Sequence, residues 1–401
     1  MSKKIILFLA ILLGLLIGGL ALVKGSGKKS ATYFNVPKLS STCPPGFKLN
    51  ERNECISQNL YKQYATGNDP GVGGLKTALP AVRDGFSPQE IDLGRYLFFD
   101  PALSGNGTIS CASCHDPNKG FSDGLPTSRG INNEFIDRAA PTLWNVAYLK
   151  SFFWDGRATT LEEQMKGPLF DEKEMANTPE NLIQTMNSLE NYKLLFAEAF
   201  PTRNKKDRIT LDEIYRSIVA FQSSLISLNS KYDQYAHGYH QAPNQKEIEG
   251  RNIFRSFVAR CAECHTPPLF TNQQIAVLGV PEPKGSDFDP GAELPFKDET
   301  LRGGFKVPSL RNIDKTAPYM HSGVFPTLRE TVQFYNNGRG HAVPEEEDLI
   351  LHWHIWEPNL TDYELDRIVD FLKTLTDESF MPKIPEKLPS GITISQNQQL
   401  N

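Results

Sequence analysis

Two five-residue runs, Cys111-Ala112-Ser113-Cys114-His115 and Cys261-Ala262-Glu263-Cys264-His265, constrain this 401-residue chain more than any other feature. Cys-x-x-Cys-His is the attachment pattern of a c-type haem. Two thiols anchor the porphyrin edge, and the adjoining histidine reaches the iron as its proximal ligand. A CxxC pair can also be a redox or zinc motif, but here a histidine follows directly in both copies. The expected cofactors are two covalently bound haems c, one on Cys111, Cys114 and His115 and one on Cys261, Cys264 and His265.

Haem c is attached outside the cytoplasm, so the body of the chain is expected there. Lys3 and Lys4 precede nineteen uncharged residues, Ile5 to Val23, with no small-x-small cleavage site after them. That run exceeds a signal-peptide core and meets the length needed to span a bilayer. Residues 1–24 are therefore expected to be a retained signal-anchor that tethers the protein to the inner membrane. Cys43 and Cys55, twelve apart in a loop containing proline and glycine, read as a local disulfide in an oxidising compartment. A formal net charge of −5 argues against a nucleic-acid partner and leans towards basic partners such as small cytochromes.

Helix signals surround both motifs. Ser87-Pro88-Gln89-Glu90 combines an N-cap, proline at the first helical position and a capping-box glutamate. It predicts a helix through Ile91, Leu97 and Phe98 that leads into the first motif. Ile248, Ile253, Phe254 and Phe257 give helical spacing ahead of the second. Thr210-x-x-Glu213 and Thr361-x-x-Glu364 open two more apolar-striped helices. Strand-rich stretches are absent, so the expected fold is all-α with long ordered loops: two cytochrome c-like domains, each carrying one haem. The expected boundaries are 25–79 for a tether and disulfide-pinned extension, 80–237 and 238–380 for the two domains, and 381–401 for a disordered polar tail.

An internal repeat supports the duplication. Pro141-Thr142-Leu143-x-Asn145 recurs as Pro308-Ser309-Leu310-x-Asn312, Gly156 as Gly323 and Thr160-Leu161 as Thr327-Leu328, all offset by 167, whereas the CxxCH runs are offset by 150. The extra residues fall in 279–304, a run rich in Gly, Pro and Asp that reads as a surface loop. The same offset pairs Tyr335 with Pro168. Tyrosine can ligate iron and proline cannot, so the second haem is expected to have a filled sixth position and the first an open one.

From about 85 to 376 the chain resembles the bacterial di-haem cytochrome c peroxidase family, including its MauG branch. The matching text is CASCHDP, AAPTLWN, FFWDGRATTLEEQ, Gly167-Pro168, Glu174-Met175, CAECH, VPSLRN, TAPYMHSG, TLRETV and FYNNG. The resemblance implies that peroxide is handled at the first haem and that electrons arrive at the second. It implies that His115 and His265 are the proximal ligands, that Glu174 is the distal acid/base with Gln164 and Pro168 beside it, and that Trp154 relays electrons between the haems. A carboxylate there can take a proton from hydrogen peroxide and return it to the leaving oxygen. It also implies a small cytochrome c or cupredoxin as electron donor; a homodimer is left open.

Three departures from the family pattern matter. Many family peroxidases block the first distal site with a histidine, yet no histidine lies between His115 and His237. Tyr335 stands where those peroxidases place a methionine, as in the MauG branch. The family's inter-domain calcium would use the carbonyls of Thr316 and Pro318, but Ala139 replaces its asparagine ligand, which puts calcium in doubt. His341, His352 and His354 lack a fixed carboxylate or cysteine partner and read as packed or surface histidines; Met320 is the reserve distal ligand. The preferred function is peroxide reduction to water. The alternatives are a MauG-like enzyme that oxidises residues of a partner protein and a non-enzymatic di-haem carrier or sensor.

Overall fold

The computed structural model describes residues 37–58, 61, 79–202, 207–338 and 340–393. Those residues are mostly helical, and the part from Pro37 onward is one compact unit. Among the described residues no helix is long and apolar enough to cross a membrane. The expected anchor at 5–23 lies outside them.

In the first half, helix α1 (Pro88–Phe99) leads to the one-turn α2 (Cys111–Cys114), followed by α3 (Leu161–Phe170), α4 (Pro179–Ser188), α5 (Glu190–Ala199) and α6 (Leu211–Ser223). After α7 (Lys231–Ala236) the second half repeats the scheme. It has α8 (Gln245–Phe254), the one-turn α9 (Cys261–Cys264), a short α10 (Glu293–Phe296), α11 (Leu328–Asn337) and α12 (Asp362–Lys373). The capping boxes form: Ser87 N–H donates to Glu90 at 2.7 Å, Thr210 N–H to Glu213 at 2.8 Å and Thr361 N–H to Glu364 at 2.8 Å.

Each half is built on one close helix crossing. Where α1 meets α6, a Cβ on Gly94 would lie 1.8 Å from the carbonyl oxygen of Ser217. Where α8 meets α12, a Cβ on Gly250 would lie 1.8 Å from the carbonyl oxygen of Arg367. Only glycine permits backbones to approach so closely. The close approach brings Phe98 within 5.1 Å of Phe221, and Phe254 within 5.1 Å of Phe371, ring centre to ring centre. Each such fully buried side chain contributes about 1.5–3 kcal/mol.

The backbone repeats as the sequence does. Helices α3 and α11 start at Leu161 and Leu328 behind Thr160 and Thr327, whose side chains accept from Glu163 and Glu330. Asn145 and Asn312 are both left-handed, at φ 63° and 58°, and both are buried. The bridge Phe152–Ala158 recurs as Tyr319–Phe325. Ser227 ties the halves: its N–H donates to Asn145 Oδ1 at 3.0 Å, and Asn312 Nδ2 donates to its Oγ at 2.7 Å. Nearby, fully buried Arg311 donates to both oxygens of Asp233 at 2.6 and 2.7 Å and to the carbonyl of Pro268.

Two small antiparallel ribbons complete the fold. β1 (Phe47–Leu49) pairs with β2 (Cys55–Ser57), where Cys43 and Cys55 are disulfide-bonded with Cα atoms 5.5 Å apart. β3 (Ile275–Val277) pairs with β4 (Gly304–Lys306).

Two local expectations are corrected, and one is refined. Residues 381–393, expected in a disordered tail, run back across the first half because that half offers hydrogen-bonding and apolar partners. Leu388 is buried, the carbonyl of Pro389 accepts from Asn191 at 3.0 Å, and Arg95 donates to the carbonyl of Lys383 at 2.9 Å. Residues 394–401 lie outside the described residues. The run 279–304 lies largely at the surface, as expected, but sends Glu282 and Asp289 inward to His321 and Arg138. Phe257, counted into a helical stripe, lies beyond the end of α8 and is 75% exposed.

Candidate active site

The one-turn helices place a histidine beside a pair of thiols at each site. His115 N–H closes α2 on the carbonyl of Cys111 at 3.0 Å, and His265 N–H closes α9 on Cys261 at 2.9 Å. Each imidazole is oriented by a backbone carbonyl: His115 Nδ1–H donates to Phe121 at 2.9 Å and His265 Nδ1–H to Phe270 at 3.1 Å. A carbonyl only accepts, so Nδ1 carries the proton and Nε2 keeps its lone pair, the tautomer a metal-ligating histidine needs. Burial lowers both imidazoles, His265 to about 4, which keeps the ligand neutral. The four thiols form no disulfide, and burial pushes Cys111, Cys114 and Cys261 up to about 12. Redox CxxC pairs need a depressed thiol, which these cysteines lack. The donor set fits two haems.

Helix α3 carries Gln164 and Pro168 one turn apart, and the segment after it carries Glu174. Backbone bonds pin that segment: Ile131 N–H donates to Glu174 at 2.8 Å, Met175 N–H to Pro168 at 3.0 Å and Gly105 N–H to Met175 at 2.8 Å. Gly130 lies so near that a Cβ there would sit 1.6 Å from the carbonyl oxygen of Lys173. The Glu174 carboxyl is raised to about 7 by burial first, then by Asp171 and Asp137, while Arg157 opposes the shift. This is a carboxyl poised to exchange a proton near neutrality. Burial raises the Cys114 thiol first, and the charges of Asp123 and then Glu174 add to the rise.

Tyr335 occupies on α11 the position that Pro168 occupies on α3. Burial raises its phenol well above the ordinary range, and Cys264 and Cys261 add to the rise. Trp154 sits between the halves. Its Nε1–H donates to the carbonyl of Ala139 at 2.8 Å, its own carbonyl accepts from Lys306 N–H at 2.7 Å, and its ring lies edge-on to His321 at 6.5 Å. Glu174 thus acts electrostatically on Cys114, and Cys264 and Cys261 on Tyr335. Thr316 packs its methyl group against Gly120. Of the remaining histidines, His354 Nε2 lies 2.8 Å from Glu263. Sequence reasoning missed the carbonyls of Phe121 and Phe270, Arg157 beside Glu174, and Glu282 on His321.

A family model for di-haem cytochrome c peroxidase matches residues 88–241. Cytochrome c551 peroxidase of Nitrosomonas europaea is 35% identical over 308 residues, 77% of this chain and 86% of that protein. The chain belongs to the di-haem cytochrome c peroxidase family. Methylamine utilization protein MauG of Methylorubrum extorquens is 31% identical over 310 residues, 77% of this chain and 82% of that protein. Among solved structures, a MauG-like protein associated with microbial copper homeostasis shares 32% identity at a TM-score of 0.68, covering 73% of this chain and 91% of the other. The di-haem peroxidase BthA from Burkholderia thailandensis shares 28% at 0.62, covering 77% and 90%. A chain of this family takes haem c as its cofactor and is an oxidoreductase acting on peroxide.

Proposed function

We propose that this chain is an extracytoplasmic di-haem peroxidase that reduces hydrogen peroxide to water with electrons from a small redox protein, tethered by residues 5–23. The observation that carries it is the inequality of the two halves: Pro168 and the buried, raised carboxyl of Glu174 belong to the first, and Tyr335 takes the place of Pro168 in the second. Haem bound to Cys111, Cys114 and His115 supplies an iron at which the peroxide O–O bond is broken. Glu174, when ionised, takes the proton from the near peroxide oxygen and hands it to the departing one, which leaves as water. Gln164, one helical turn before Pro168, orients the peroxide, and the proline side chain offers iron no donor. Tyr335 closes the second site to peroxide. Trp154, anchored to residues of both halves, relays single electrons between them.

The donor face is supported by exposed Phe257, Val258, Trp353 and Trp356, grouped around Arg260 at the start of α9. Residues 341–360 add five carboxylates and no lysine or arginine, which suits a partner ringed by lysines, such as a small cytochrome c or cupredoxin. Calcium has no role in the reading, because Ala139 removes a side-chain oxygen from the Thr316 and Pro318 carbonyls. Steady-state turnover of peroxide with a reduced small cytochrome c is the test. Rapid turnover supports the peroxidase. Slow turnover together with oxidation of a partner protein's residues turns the assignment to the MauG-like reading, which Tyr335 favours. Both irons low-spin and inert to peroxide would leave only an electron carrier.

A further inference from the structure

Trp154 belongs to a column of side chains that the sequence gives no reason to join. Its ring lies edge-on to buried His321, which stacks on Phe305 at 3.8 Å and 17°, and the Arg138 guanidinium lies 5.4 Å from the Phe305 ring. The Nε2–H of His321 donates to Glu282 at 2.8 Å, and the same carboxylate oxygen accepts from Asp289 N–H at 3.4 Å. Arg138 in turn binds Asp289 at 2.7 and 2.8 Å and Asp155 at 2.7 Å; Asp155 also takes Arg157 at 2.6 Å. Glu282 and Asp289 both come from the insertion that the second half carries and the first lacks.

The column holds three carboxylates, Asp155, Glu282 and Asp289, and two guanidinium groups. Asp155 and Asp289 are matched by Arg138 and Arg157, whereas Glu282 has only the imidazole of His321. A relay tryptophan gives one electron towards the peroxide site and regains one from the second haem. The Nε1–H of Trp154 is bonded to a backbone carbonyl, which is too weak a base to keep the proton. The oxidised indole therefore stays cationic, and a nearby unbalanced carboxylate favours it in a site of low dielectric.

We propose that Glu282 is a positioning residue for Trp154: acting through His321, its negative charge eases the passage of an electron through the indole. The inference rests on the relay reading of Trp154. The experiment uses the full-length protein with both haems and compares Glu282→Gln, Glu282→Asp and Trp154→Phe. Electron transfer between the haems is followed optically in a single turnover, and the radical signal after peroxide is followed by EPR. Glu282→Gln keeps an acceptor for His321 but removes the charge. It should slow the transfer about tenfold and weaken any tryptophan radical, the factor expected for about 1.4 kcal/mol. Glu282→Asp should restore most of the rate. Wild-type transfer in Glu282→Gln, or equal slowing in Gln and Asp variants of normal haem content and melting temperature, overturns the role of the charge. If Trp154→Phe transfers electrons as fast as the wild type, the relay reading itself has failed, a separate result.

Discussion

Glu174→Gln tests the chemistry and the electrostatics of the first site together. The carboxyl is held at about 7 against an ordinary 4.5, chiefly by burial and then by Asp171 and Asp137. At about 1.36 kcal/mol for each tenfold change in proton affinity, that rise is at most about 3 kcal/mol; solvent access to this half-buried group brings it to about 1–2 kcal/mol. Between pH 4.5 and about 7 the unfolded chain is ionised at this position while the folded protein still holds the proton. The group therefore destabilises the fold increasingly across that window, fully above it and not at all below. Glutamine should raise the melting temperature above pH 7 and leave it unchanged at pH 4. Peroxide cleavage should fall by about 10²–10⁴, because the base is gone. In the wild type the rate should climb with pH through about 7 and level off; in the variant it should be flat. Stopped-flow mixing with peroxide across that range, alongside thermal melts, supplies both profiles. A variant that cleaves peroxide at the wild-type rate, or keeps the limb near 7, refutes the assignment.

Replacing Tyr335 with Met or His should change the optical and EPR spectrum of the second haem alone; an unchanged spectrum would show that Tyr335 is not a ligand. Arg311→Met should cost about 3–5 kcal/mol in chemical denaturation, because it leaves the fully buried Asp233 carboxylate without its cation; a loss below about 1 kcal/mol would mean that solvent reaches Asp233.

The helices were legible because their ends are written in local chemistry. Ser87, Thr210 and Thr361 each cap with a glutamate three residues on, and those helices begin where that pattern puts them. The repeat was legible because it recurs at constant spacing, down to the paired left-handed asparagines. The inward course of Glu282 was not, since an acidic residue in a Gly/Pro-rich run reads the same whether it meets water or a buried histidine. The tail misled for a similar reason. Extended proline-containing chain has no periodicity, and its order comes from Asn191, Arg95 and the pocket around Leu388, all distant in sequence.

The site itself divides along the same line. CxxCH names the thiols and histidines, but the groups that orient the histidines are carbonyls of Phe121 and Phe270, which any residue would provide. In the sequence Glu174 stands beside Asp171 and Glu172 with nothing local to distinguish it, and only the resemblance to a family singles it out. The physical difference between it and Asp171 or Glu172 is burial, since those two neighbours are exposed. Burial arises because residues 128–137 fold over the segment, which needs a bare Cα at Gly130 against Lys173. A duplicated backbone thus gives two sites with the same skeleton, and their inequality comes from a few side chains. Pro168 and Tyr335 share one helical position, yet one offers iron no donor and the other offers a phenol. On the proposed reading an exchange at that position would alter which iron stays open, whereas an exchange at Gly94 or Gly250 alters whether the two crossing helices of that half can pack.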